Sequence, residues 1–357
     1  MRDTAGVRTD APEATDAVMS ETPDILLRRS ARTFTRTVDE LPEGVGAAPL
    51  PGAGRTDQRF ALLSDTARED LGAARLLEGH LDAVAILAEL GAEPAHRGQY
   101  WGVWAAQPPG PGLTAARHGS RWLLSGLKRY CSGARTCTHA LVTAATEDGD
   151  RLFAVRTGAP VPDPYQGPAE GRSCRPVPGT WPAIGMAGSD SLDVRFHDLP
   201  GTPVGAPGAY TNRPGFHHGG VGVAACWLGG AHAVARILRD RSARRSDPLT
   251  DAHTGAVDVQ LYVARTALAQ AAQEIDADPE DATGTAEVRA LRIRALIADA
   301  CSAVLDHVGR ATGAGPLCHD PRHARAVADL TVYVRQHHAE RDLAALGALV
   351  AGLGAGR

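Results

Sequence analysis

Arg121-Trp122-Leu123-Leu124-Ser125-Gly126-Leu127-Lys128-Arg129-Tyr130-Cys131-Ser132-Gly133-Ala134 follows the turn signal His118-Gly119-Ser120, and this stretch decides how the chain is read. Its first half is a strand returning from a hairpin. Downstream, the apolar runs Ala140-Leu141-Val142-Thr143-Ala144 and Leu152-Phe153-Ala154-Val155 flank Glu147-Asp148-Gly149-Asp150, a second hairpin. Leu192, Val194 and Phe196 alternate with Asp193, Arg195 and His197 as a half-buried strand does. From Trp101 to Pro200 the hydrophobic period is therefore two, with turns about every ten residues, which predicts an antiparallel sheet or small barrel.

On either side the period is helical. One helix is predicted around Asp24 to Glu40, then a Pro- and Gly-rich linker from Leu41 to Gly54. Phe60, Leu63, Ala67, Leu71 and Ala74 form one apolar face, and Leu76, His80, Ala83, Leu87 and Leu90 a second, stopped at Gly91. After Pro214 three stripes recur at spacings of three and four: Val223 to Ile237, Val257 to Ile275, and Ile293 to Val308. A last helix is predicted from His323 to about His338, continuing or restarting towards Val350. Helices, then sheet, then a helical bundle is an α+β order, and it excludes the strand–helix alternation of a βαβ dinucleotide fold. The predicted boundaries are an N-terminal segment and linker over 1–56, a helical domain over 57–100, a β-domain over 101–212 and a bundle over 213–357.

Composition narrows the function classes. The chain has 357 residues, 37 Lys plus Arg against 41 Asp plus Glu, and a net charge of −4. That balance disfavours a dedicated nucleic-acid binder. Hydrophobic residues at 43% and charged residues at 22% are those of a globular chain with a core of its own. No run approaches eighteen apolar residues, so no membrane-spanning helix is expected. Lys128 is the only lysine, so the arginine content reads as compositional bias and not as a binding surface. The six cysteines form no Cys-x-x-Cys pair, and no apolar signal core follows Met1, so reduced thiols in a cytoplasm are expected.

Nucleotide phosphate loops, His-Glu-x-x-His and the Gly-x-Ser-x-Gly nucleophile elbow are all absent. Gly219-Gly220-Val221-Gly222 and Gly313-Ala314-Gly315 follow no βαβ strand and read as packing glycines. His217-His218 is expected just ahead of the first bundle helix, and His337-His338 near the end of the last. Neighbouring helix positions point about 100° apart, so no metal site is expected at either pair.

Taken together, several segments resemble the acyl-CoA dehydrogenase family. Trp122 to Ala134 is similar to its Gly-x-Lys strand motif, and Trp104-Ala105-Ala106-Gln107-Pro108-Pro109-Gly110 to its Thr-Glu-Pro-Gly-type loop. Gly185-Met186-Ala187-Gly188-Ser189 and Val194 to Pro200 resemble its Gly-x-x-x-Ser and following strand, and Arg310-Ala311-Thr312-Gly313-Ala314-Gly315 its glycine loop. The likeness runs from about Asp57 to Gly347. It implies N-terminal helices, a middle antiparallel β-domain and a C-terminal four-helix bundle. It further implies FAD in a crevice between sheet and bundle, completed by a second subunit of a homodimer or homotetramer. Tyr130, Cys131 and Ser132 would lie against the flavin, the Ser132 hydroxyl donating to O4 or N5. Ala106 and Gln107 would approach the pyrimidine edge, while Arg310, Gly313 and Gly315 would serve the pyrophosphate. Lys128 is read as registering the strand with its amine in solvent.

The sequence departs from the family at three places. Ala106 stands where a threonine is usual, Arg310 where a glutamine is usual, and no Arg-x-x-Phe-Gly occurs around Arg244-Arg245-Ser246-Asp247-Pro248. The base is a fourth departure. Family placement after Ala328-Asp329 puts His337 where a glutamate removes the α-proton of an acyl thioester. Glu340 and Asp342 lie about one helical turn late. His337 is thus the expected general base or proton donor, against a plain helix-capping role. Three readings follow: an FAD-dependent acyl-thioester dehydrogenase passing electrons to an acceptor, a flavin monooxygenase fed by a flavin reductase with FMN in place of FAD, and a silent subunit paired with an active homologue.

Overall fold

A computed structural model describes residues 22–41, 49–158, 173–244 and 247–355. Helices α1 (Pro23–Glu40), α2 (Thr56–Glu69) and α3 (Leu71–Glu89) come first. Seven strands follow: β1 (Trp101–Trp104), β2 (Leu113–His118), β3 (Arg121–Cys131), β4 (His139–Thr146), β5 (Gly149–Arg156), β6 (Cys174–Val177) and β7 (Leu192–Val204). The bundle comprises a short α4 (Ala209–Asn212), long α5 (Pro214–Arg244), α6 (Pro248–Ala277) and α7 (Ala286–Thr312), a short α8 (Gly315–His319), then α9 (Pro321–Tyr333) and α10 (Glu340–Ala355).

The two predicted hairpins are β2–β3 and β4–β5, paired antiparallel through His118↔Arg121 and Thr146↔Gly149. The sheet is not purely antiparallel, however. β4 runs parallel to β1 along Trp101↔His139 to Trp104↔Val142 and meets β2 at Thr114↔Ala145. Because β4 also pairs with β5, and β7 joins β3 to β5, the strands close on themselves. The β2–β3 hairpin intervenes between β1 and β4 in sequence, and β4 returns beside β1 in the same direction. Leu192, Val194 and Phe196 of β7 point into the barrel with Leu124 and Phe153.

The amphipathic stripes all reach the main core, where α2, α3, α5, α6, α7 and α9 meet. Helix α1, assigned by sequence to a segment ahead of the fold, packs into it through the fully buried Phe34, edge-on to Tyr100 and His80. By length and composition alone, Pro214–Ser242 is apolar enough to cross a membrane, contrary to the expectation from run lengths. Here it is the central bundle helix, with 72% of its apolar window buried. His217 and His218 lie within α5 and not ahead of it. The last predicted helix is broken: α9 ends at Tyr333, a 3-10 turn covers Val334–Gln336, and α10 restarts at Glu340.

Candidate functional site

Where β3 ends, the chain turns sharply. Tyr130 takes φ 59°, a left-handed conformation costly for a bulky residue, and its ring stays half exposed. What holds this turn is a row of bonds to the segment before β7. Gly133 N donates to Ser189 O at 2.8 Å and Ala134 N to Asp190 O at 3.3 Å. Arg135 clasps the buried Asp190 carboxylate through its backbone N, Nε and Nη2. Burial pushes the Asp190 carboxyl up while Arg135 pulls against it. From below, Trp104 Nε1 of β1 donates to Ser132 O at 2.9 Å. Ser132 Oγ meets Ser191 Oγ at 2.9 Å.

That second segment is in turn fixed to the bundle. Gly185 passes so close to α9 that a Cβ would sit 2.1 Å from Ala328 O, and at Gly188 one would sit 2.2 Å from Ser30 Oγ. Only glycine fits at either place. Met186 N donates to Asp329 Oδ1 at 2.5 Å. Arg325 spans Asp329 and Asp70, and Ser30 Oγ donates to Asp70 at 2.8 Å, which ties α1, the start of α3 and α9 to the turn.

Trp104 leads into the loop leaving β1. Ala106 and Gln107 are exposed there, as is Tyr130. Lys128 is not in solvent, as its place in a half-buried strand had suggested. It is 4% exposed and donates to Thr143 O at 2.8 Å and Thr143 Oγ1 at 2.7 Å. Thr143 Oγ1 reaches Ala105 O at 3.4 Å, so the lysine braces the start of the Ala106–Gln107 loop. Desolvation lowers its pKa to about 8. Cys131 faces the barrel interior, fully buried, with its thiol pushed well above the ordinary value by burial. Only its backbone is left for a ligand.

Behind the turn lies a group of charges that the periodicity did not reveal as a site. Arg75 and Glu78 of α3 form a tight ion pair, and Asp82 stands beside Glu78 with Arg59 at 3.0 Å. Desolvation raises Glu78 to about 7 despite Arg75. Arg75 acts on Cys137, whose Sγ lies 4.0 Å from Ser132 O, and on the buried Tyr333. The Tyr333 hydroxyl stands beside the buried Cys226 thiol. A signal was present: Arg75, Glu78 and Asp82 interrupt an otherwise apolar helix.

The remaining expected residues lie elsewhere. His337 is the cap of the 3-10 turn, its side chain 7% exposed and its Nε2 3.9 Å from Asp342 Oδ2. Burial lowers its pKa, and the charges acting on it (Asp342, Arg294, Asp299 and His338) all belong to the bundle or to the turn preceding α10. Asp342 is itself engaged by His338 N and Nδ1, and Glu340 is exposed. Arg294 bridges Gln336 O and Gly220 O, so this turn is anchored to α7 and α5. Arg310, Gly313 and Gly315 are at the far end of α7. Sixteen residues separate Arg294 from Arg310, about 24 Å along the helix, and Arg310 pairs only with the exposed Asp306. Gly313 and Gly315 are exposed as well. Arg245 and Ser246, part of the absent inter-subunit motif, lie outside the described residues. Among the described residues no three His, Cys, Asp or Glu side chains gather as a metal site requires. His218 Nε2 contacts Pro279 O at 3.0 Å instead.

The fold is that of the flavin-dependent acyl-CoA dehydrogenase-type enzymes. FMN-bound TdsC from Paenibacillus sp. A11-2 superposes with a TM-score of 0.68 at 17% identity, over 91% of this chain and 96% of that one. Methanesulfinate monooxygenase MsuC from Pseudomonas fluorescens gives 0.69 at 18%, over 91% and 96%. KijD3 in complex with FMN and dTDP-3-amino-2,3,6-trideoxy-4-keto-3-methyl-D-glucose gives 0.65 at 18%, over 94% and 95%. No protein-family description and no curated protein sequence matches the chain.

Proposed function

We propose that this protein is a flavin-dependent monooxygenase that takes reduced FMN from a reductase and oxygenates a small molecule with O2. A bound flavin supplies the two-electron redox chemistry. Tyr130, the Cys131 backbone, Ser132, Ala106 and Gln107 would be the residues that hold it. The reading rests on the exposure of Tyr130, Ala106 and Gln107 and on a turn held rigid by Trp104. We choose FMN over FAD because the residues read for the pyrophosphate, Arg310, Gly313 and Gly315, are exposed, with Arg310 paired to Asp306. TdsC and KijD3 were both obtained with FMN, which supports the same choice.

One observation supports oxygenation over dehydrogenation: after α9 a histidine, His337, stands where the resemblance expects a glutamate, and the carboxylates near it are otherwise placed. Asp342 is taken by His338 and Glu340 is in solvent. The test is O2 uptake by purified protein with FMN, NADH and a flavin reductase, across sulfur-, nitrogen- and carbon-centred small substrates. Substrate-dependent formation of an oxygenated product is the expected result. Absence of flavin binding overturns the reading and leaves the silent subunit.

Acyl-thioester dehydrogenation retains one specific support. Glu78 is a buried carboxyl titrating near neutrality, as a proton-abstracting base does. Anaerobic bleaching of bound FAD by an acyl thioester, lost in Glu78→Gln, would establish that reading instead.

A further inference from the structure

Between helices α5 and α6 lies a cavity of about 150 Å3 that shares no lining residue with the Tyr130–Ser132 turn. On α6 its wall runs from Thr254 to Arg265 at helical spacings of three and four, so a single face of that helix forms it. The α5 wall includes Ala235, a side chain too short to close the gap. Ala235 and Leu238 of α5, with Val257 and Leu261 of α6, are buried and make an apolar floor. Arg239, Asp258, Tyr262 and Arg265 are exposed and stand at the mouth. An apolar cavity of about this volume takes up one benzene ring.

Charge at the mouth is one-sided. Arg239 donates to a carbonyl, His232 O at 3.4 Å, and Arg265 lies over the Tyr262 ring, 5.7 Å from its centre. Among the described residues neither guanidinium has a carboxylate partner. Two arginines against the single carboxylate of Asp258 leave one positive charge on the lining. His232, on the same wall, adds none. Burial lowers its pKa to about 4, and the charges acting on it, Arg68, Arg239 and Arg265, are all cationic.

We propose that this cavity binds a small monocarboxylate with an apolar body the size of one aromatic ring. The body rests on the floor of Ala235, Leu238, Val257 and Leu261, where it leaves water. The carboxylate meets Arg239 and Arg265, whose planar forks suit it. The surplus of one positive charge matches a monoanion.

The test is calorimetric titration of the full-length protein, without flavin and at low ionic strength, with benzoate. Benzyl alcohol supplies the body without the charge, and acetate and inorganic phosphate supply charge without the body. Benzoate is expected to bind roughly tenfold more tightly than each of the three. Arg239→Gln and Arg265→Gln should each weaken benzoate roughly three- to tenfold and leave benzyl alcohol unchanged. Val257→Phe should fill the floor and abolish binding of both ring compounds. That change also crowds the bundle, so its thermal unfolding is recorded, and the exposed arginine variants decide if it does not fold. Undetectable benzoate binding, or binding unchanged in both arginine variants, overturns the proposal. Equal affinity for benzoate and any of the three comparison compounds overturns it as well. Every one of these outcomes leaves the flavin reading standing, since the two sites share no residue.

Discussion

Two turns of this molecule share an unusual backbone and differ in nearly everything else. At the end of β3, Tyr130 has φ 59°; ahead of α10, Ala339 has φ 47°. Each carries the strain of a non-glycine residue in the left-handed region. The first is followed by donors bound to Ser189 O, Asp190 O and the Asp190 carboxylate, with Trp104 beneath. The second is followed by an exposed helix and held by Arg294 and by the His338–Asp342 contact. Strain at the first is over-determined by buried polar bonds and so keeps one geometry, as a cofactor shelf needs. Strain at the second is answered mainly at the surface.

The contrast can be broken most directly at Asp190. Asp190→Asn removes the charge that Arg135 clasps, and urea denaturation should show a loss of about 3 kcal/mol, because a cation keeps half of a broken buried pair. Flavin affinity should fall with it. Next in size is a pH effect on the strand that supports the turn. His80 Nδ1 accepts Trp101 N–H at 3.1 Å, and burial lowers its pKa to about 4. A depressed histidine stabilises the fold above its ordinary 6.5, and that stability is lost as pH falls through 4. Relative to His80→Asn, the wild type should therefore lose on the order of 3 kcal/mol between pH 7 and pH 4 in denaturant titrations.

The strained residues themselves sharpen the comparison. Ala339→Gly should stabilise the protein by about 0.5–1 kcal/mol and leave FMN affinity unchanged. Tyr130→Gly should relieve a similar strain yet weaken FMN binding severalfold in dialysis, since the ring is lost from the shelf. The smallest effect belongs to Arg310→Ala, which should move stability by less than about 0.5 kcal/mol and leave FMN affinity unaltered.

The legible and illegible parts of the site divide along the same line. The Gly-x-Lys strand and the Ser-Gly-Ala turn could be read because they are contiguous: their conformation is set by neighbours in sequence. Lys128 was misplaced because alternation along β3 says which face a residue occupies, and not that the barrel closes over that face with Thr143 waiting. The Arg75–Glu78 pair passed as ordinary helix polarity, since one turn of helix carries no record of the strand and helix that bury it. Arg310 to Gly315 resemble a glycine loop in sequence, yet Arg310 is exposed and pairs with Asp306 on its own helix.

From the amino-acid order alone came the helix–sheet–helix succession, the hairpins, the bundle stripes and the nomination of Tyr130 to Ser132. All but the last follow from local periodicity and from turn chemistry, which act over a few residues; the last came from the family resemblance. Barrel closure, the burial of Lys128 and of the α3 charges, and the bundle-side surroundings of His337 were decided in three dimensions. Each depends on a group brought from tens of residues away, and a hydrogen bond or a desolvated charge is defined by what stands opposite it.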